Sequence, residues 1–360
     1  MKTKIKIFSG VRNFPTTGLF IIFIAIFLSS KKASCALNPV QEPLRGKINR
    51  GIELTINNRF DEAIDLYRKL IEKYPRQPIG YFYTAATLQA KMLDAEDYSE
   101  QAEFYRLSDL AIHYAEELQE RGDATGWTVF YEGSAYLYRS FMDSKKGKWF
   151  AAYKDAKRGV GRLEKAVALD SSLYDAYLGL GSFKYWKSAK ADFLLWLPFI
   201  SDERKTGIEM IRQSIAKGIF TYWIARDQLS WVLMDAGNYR EAMQIARENS
   251  EAYPVSRFFK WTLVEAAYRN HDLEVCYQLY QNLLQGVRTI PDNNHLNELE
   301  CLVRLAEIDL ERQQWQQAHR YSDQALRLRL AKEIRKRAKG KLKRAMKVRG
   351  QAEKALRQQR

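Results

Sequence analysis

A chain of 360 residues with 46% hydrophobic and 13% aromatic composition can bury a sizeable core, which excludes an intrinsically disordered protein. Its mean hydropathy of −0.45 excludes a polytopic membrane protein. The formal net charge is +15 and sits at the ends: residues 1–36 carry +6 without an acid, residues 327–360 carry +13, and the body between them carries −4.

The first element is a leader. Lys2, Lys4, Lys6 and Arg12 precede an eleven-residue apolar run from Gly18 to Leu28, the build of a secretory signal. Ser34-Cys35-Ala36 supplies the small residues that signal peptidase needs, so the expectation is an exported protein, periplasmic or envelope-associated, cleaved after Ala36. Two alternatives stay open. Ala33-Ser34-Cys35 partly matches a lipoprotein box that would lipidate Cys35, although Lys32 stands where that box wants a leucine-like residue. The eighteen uncharged residues Asn13–Ser30, followed at once by Lys31 and Lys32, would also serve as a retained signal anchor. The domain expectation is a leader over 1–36, a helical body over 37–327 and a basic tail over 328–360.

From Leu44 the apolar spacing is helical throughout. The first pair of helices is expected near Leu44–Asn57 and Phe60–Lys73, joined at Asn58-Arg59. A second follows near Gly80–Leu93 and Tyr98–Glu120. A third starts at Thr125, shows an apolar face through Trp127, Phe130, Tyr131, Tyr138 and Phe141, turns at Ser144–Lys148 and runs to Leu169. Gly159 and Gly161 are costly inside that last helix unless close packing requires them. Four further pairs are expected: Asp175–Ser188 with Glu203–Lys217, Trp223–Asp235 with Tyr239–Ala252, Arg257–Arg269 with Leu273–Gln285, and Leu296–Gln313 with Trp315–Arg327.

Within these pairs a pattern recurs. Arg59-Phe60-Asp61-Glu62-Ala63 and Tyr239-Arg240-Glu241-Ala242 are each closed by Tyr-Pro, at Tyr74-Pro75 and Tyr253-Pro254. Gly207, Ala242, Cys276 and Ala318 hold equivalent small-residue places at separations of 35, 34 and 42. The pattern resembles the tetratricopeptide repeat family, whose unit is about 34 residues. The resemblance covers most of 44–327, about seven units, two of them irregular. It implies an all-α fold, a right-handed α-solenoid of stacked antiparallel helix pairs, because a single pair cannot bury its apolar face alone.

No constellation for covalent chemistry stands out. His113, His271, His295 and His319 lack paired metal-ligand spacing, and there is no zinc-protease, phosphate-loop or nucleophile-elbow motif. Neither an enzyme, a metal, a cofactor nor a small-molecule substrate is expected. Three cysteines are too few for a disulfide scaffold, and Cys276 and Cys301 read as free and buried, with a bridge between neighbouring helices as the alternative.

Three features are candidates for binding. The resemblance implies an inner surface lined by the first helix of each pair and a protein or peptide partner; by helix register the lining would include Phe82, Tyr185, Trp186, Asp227, Trp231, Asp235, Trp261, Glu265, Tyr268 and Glu307. Aromatics beside carboxylates suit a segment with apolar and basic residues. The uncharged run Phe193–Ile200 reads as an elongated first helix or a tucked turn, ended by Pro198, or else as an exposed anchor for a partner or a bilayer interface. In the tail, Arg335, Lys336, Arg337, Lys339, Lys341, Lys343, Arg344, Lys347 and Arg349 alternate with a seam of Ala338, Leu342, Ala345, Ala352 and Leu356, which predicts a cationic helix. Such a helix attracts an anionic membrane surface or an acidic protein face. Its lack of aromatics argues against single-stranded nucleic acid. The leading expectation is an adaptor or assembly scaffold of the cell envelope; the alternatives are a nucleic-acid-associated protein acting through the tail and a membrane-anchored repeat protein.

Overall fold

The computed structural model describes residues 36–190 and 201–358, which lie in one compact unit, Ala36–Arg360. The leader and the Phe193–Ile200 run lie outside the described residues. The helices are α1 (Leu44–Ile56), α2 (Phe60–Lys73), α3 (Pro78–Ala95), α4 (Gln101–Glu120), α5 (Gly126–Lys145), α6 (Trp149–Leu169), α7 (Ala176–Lys190), α8 (Arg204–Lys217), α9 (Tyr222–Asp235), α10 (Tyr239–Ala252), α11 (Arg257–Arg269), α12 (Leu273–Arg288), α13 (Leu296–Glu311), α14 (Trp315–Arg327), α15 (Lys332–Arg337) and α16 (Lys339–Gln358). No strand occurs among the described residues. Each of the seven expected pairs is present, with ends shifted by a few residues. The α3 helix begins earlier than expected because Pro78 is tolerated in its first turn, where its missing N–H has no helical partner.

Local chemistry fixes the joints. Asn58, Gly147, Gly237, His271 and Gln313 all have positive φ, and each stands two residues before the second helix of its pair. One left-handed residue reverses the chain there, so the two helices pack antiparallel. Thr125 accepts from the Thr128 N–H at the start of α5, and Asp272 does the same for Val275 at the start of α12.

Four places into the second helices stand Ala63, Ala152, Gly207, Ala242, Cys276 and Ala318, all buried. In the third pair Gly133 faces Gly159: a Cβ on either would lie 2.8 or 2.7 Å from the other's carbonyl oxygen. Those glycines therefore let two backbones meet, which accounts for the helix-breaking residue in mid-helix. Consecutive first helices touch one another from α1 through α11, so α1, α3, α5, α7, α9 and α11 line the inside of the stack.

The basic tail is part of this stack. Ala338, Ala345, Val348 and Ala352 are buried, and α16 packs against both α13 and α14, as the first helix of a further unit would. The winding also brings the chain back on itself. Arg257, opening α11, grips Asp94 near the end of α3 through three hydrogen bonds of 2.9, 3.1 and 2.6 Å. Asn58 Nδ2 donates to the Val255 carbonyl at 2.7 Å, Asn297 Nδ2 to the Asp94 carbonyl at 2.8 Å, and Arg337 to the Glu96 carbonyl at 2.8 Å.

Candidate binding surface

The ten residues placed on the inner face by register do not share one environment. Phe82 is buried among Phe130, Tyr131 and Tyr138, and Tyr185 is buried with its hydroxyl donating to the Asp235 carboxylate at 2.9 Å. Trp186 and Trp261 are half-buried; the first meets Tyr185 edge-on, and the second leans toward Tyr280 of its paired helix. Trp231 and Tyr268 remain open, at 36% and 43% of their area. Asp235 is exposed and Glu265 half-buried, paired with Arg269 at 2.8 Å. Glu307 is held by Arg344 at 2.8 and 2.6 Å.

An open strip therefore runs over α9 and α11. Trp231 Nε1 donates to Thr262 Oγ1 at 3.2 Å across the two helices, and Phe258, one turn earlier on α11, is also exposed. Register alone missed Phe258, since its neighbour Phe259 is fully buried and the pair reads as core. Toward α13, the Arg304 guanidinium lies 4.9 Å from the Tyr268 ring centre, a cation–π contact that leaves one face of the ring free.

Beneath the strip sits Asp227, enclosed on all sides. Burial pushes its carboxyl up to about 7, and contacts with Thr262 and Trp231 offset this only in part. Its Oδ1 has no hydrogen-bond partner. Glu300 on α13 is the opposite case. Burial opposes its ionisation, but Lys341, Arg344 and Arg304 outweigh it and hold the carboxyl at about 2.

Those partners show what the tail does. Of its nine expected cations, Lys336, Arg337, Lys341, Arg344 and Arg349 pair with carboxylates of the chain itself. Arg335, Lys339, Lys343 and Lys347 are exposed and make no ion pair among the described residues. The tail meets the repeat array at Glu96, Glu300, Glu307 and Asp323.

A second surface was not legible as a site in the repeat pattern. Phe141, counted with the apolar face of α5, is 47% exposed, and the adjoining start of α6 displays Trp149 at 71%, Phe150 at 85% and Tyr153 at 60%. The signal was the run Lys145-Lys146-Gly147-Lys148-Trp149-Phe150, which reads first as a turn. Among the described residues no helix is long and apolar enough to cross a membrane, and no cluster of His, Cys, Asp and Glu could hold a metal. Cys276 and Cys301 are buried and free.

No protein-family model matches the chain, and no curated protein matches its sequence. Solved structures do. The APC/C hetero-tetramer Cut9–Hcn1 matches with a TM-score of 0.52 and 14% identity over 89% of this chain and 57% of that one. The C-terminal part of a TPR repeat-containing protein from Cytophaga hutchinsonii matches with a TM-score of 0.41 and 20% identity, over 80% of this chain and 97% of that one. Yeast Tom70 matches at 0.40 and 14%, over 84% and 60% of the two chains. This chain thus spans little more than half of the Cut9–Hcn1 chain that it resembles. The fold is a right-handed, tetratricopeptide-like α-solenoid.

Proposed function

We propose that this protein is a non-enzymatic interaction scaffold that holds a segment of a protein partner on the inner face of its helix stack. The observation carrying the reading is the open strip on α9 and α11, where Trp231 and Tyr268 stay accessible beside Asp235 and Glu265. Exposed rings give large contact area at low entropic cost, and the carboxylates favour a segment with apolar and basic side chains. Repeat stacks commonly use such extended inner faces. The leader supports export and a place in the cell envelope. The tail serves mainly as a packed helix of the stack, since α16 lies against α13 and α14 and five of the nine cations already pair with the chain's own carboxylates.

A photo-crosslinking amino acid at Tyr268, introduced in the native cell, tests the inner face. It should capture a discrete protein partner, and Trp231→Ala should abolish capture while circular dichroism shows the helical content retained. The melting temperature should fall by a few degrees, because the ring is partly covered and its Nε1 bonds Thr262 across the two helices. Capture undiminished by Trp231→Ala would remove this strip from consideration. The export reading is checked separately by the mass of the mature N-terminus, expected at Leu37; a lipidated Cys35 or an intact leader selects one of its alternatives.

A further inference from the structure

The hairpin between α5 and α6 carries a surface that the inner-face reading does not use. Over residues 141–158 the exposed side chains are aromatic or basic without exception: Phe141, Trp149, Phe150 and Tyr153, framed by Lys145, Lys146, Lys148, Lys154, Lys157 and Arg158. The two acids in this stretch are both buried and engaged inward. Asp143 accepts from the Tyr105 hydroxyl at 2.7 Å, and Asp155 pairs with Arg139 at 3.1 Å. Nothing anionic is left on the tip to neutralise its lysines.

The aromatic residues are not there for the fold. Phe60, Tyr239 and Trp315 open the second helices of other pairs at the same place as Trp149, and they are half-buried or, for Tyr239, 37% exposed. Trp149 at 71% and Phe150 at 85% stand clear of the helices beside them. Phe150 has no polar atom that would repay its exposure, so water is a costly environment for it. The Lys146 ammonium lies 4.8 Å from the Tyr105 ring centre, which steadies the turn from which the tip projects.

The geometry points to a peripheral membrane contact: the α5–α6 tip seats Trp149 and Phe150 in the interfacial layer of an anionic bilayer, with the surrounding lysines on lipid phosphates. The pairing of chemistries is that of interfacial anchors, in which rings take the boundary between headgroup and acyl chain while cations meet anionic headgroups. The shape favours a bilayer over a nucleic acid strand. The rings project from a convex tip, whereas stacking on bases along a strand needs a groove that tracks the backbone.

The test uses the full chain and reads the tip directly, because an uncleaved apolar leader would by itself bring the chain to vesicles. Trypsin cleavage after Lys145, Lys146 and Lys148, followed by mass spectrometry, reports access to the turn. Vesicles of phosphatidylcholine with phosphatidylglycerol should slow this cleavage several-fold, and vesicles of phosphatidylcholine alone should not. Raising salt from about 0.1 M to about 1 M, which shortens the Debye length from about 10 Å to about 3 Å, should weaken the protection. Trp149→Ala with Phe150→Ala should restore the vesicle-free rate without moving the melting temperature, since both side chains are largely in solvent. The proposal is overturned if cleavage is unchanged while the chain co-sediments with vesicles. It is equally overturned if a single-stranded RNA homopolymer protects the tip and vesicles do not, or if protection follows protein concentration alone, which would make the tip a contact between copies.

Discussion

Asp227 is buried and Glu300 partly buried, both on first helices of their pairs, and together they show how neighbours decide the state of a covered acid. Glu300 has three cations around it and stays ionised, with its carboxyl at about 2. Asp227 has none and is pushed up to about 7 by burial. A raised native value means that the folded chain keeps a proton which the unfolded chain releases above the ordinary value of 3.8. Stability should therefore fall as pH rises from about 4 to about 7, and level off beyond. At about 1.4 kcal/mol per pH unit, the effect has an upper bound of about 4 kcal/mol. Asp227→Asn removes the charge at similar shape, so denaturant titrations should show a flatter pH dependence and a more stable protein at the alkaline end. A shallower slope of the same sign should persist from Asp309, which burial pushes up to about 6. An unaltered pH profile in Asp227→Asn would mean that this carboxyl is ionised in the folded state.

At the scale of helices, close approach decides which glycines matter. A Cβ on Gly207 would stand 2.6 Å from the Gly181 carbonyl oxygen, and backbone cannot yield as a side-chain tip can. Gly207→Ala should force the α7–α8 pair apart and cost roughly 1–3 kcal/mol, seen as a lower melting temperature. Gly161, in mid-α6, has nothing within 4 Å of its missing Cβ, so Gly161→Ala should stabilise by roughly 0.5–1 kcal/mol through helix propensity alone. Equal effects from the two substitutions would count against the packing argument. The pairs themselves were legible because small residues recur where second helices meet first ones, and Gly207, Ala242, Cys276 and Ala318 all prove buried. The tail seam was legible in part from apolar residues at three- and four-residue steps. Ala338, Ala345 and Ala352 are buried, Leu342 and Leu356 only half-buried, buried Val348 was missed, and the chain breaks around Ala338 into α15 and α16. What periodicity cannot tell is whether an aromatic on a helix is covered. Phe82 and Phe141 fall in similar patterns, yet one is core and the other lies at the exposed tip.

The whole molecule adds contacts that no local pattern announces. Asp94 and Arg257 are separated by 163 positions, and each reads in sequence as an ordinary surface charge. Once the stack has wound round they meet with both side chains mostly buried, flanked by Asn58, Asn297 and the Arg337–Glu96 pair. This seam ties the first two units to the sixth and seventh. Arg257→Ala should do more than loosen the seam, because it leaves Asp94 buried without a counter-charge, at a cost of up to about 3–5 kcal/mol. The pair Asp94→Asn with Arg257→Gln separates the two effects, since it removes both charges while keeping polar groups in place. In that double variant the melting temperature should fall less than in Arg257→Ala, while small-angle scattering should show a larger radius of gyration. If the seam restrains the inner face, crosslinking from Tyr268 to its partner should also become faster. A scattering profile identical to that of the unaltered chain would show that the asparagine contacts and Arg337 close the stack without this ion pair.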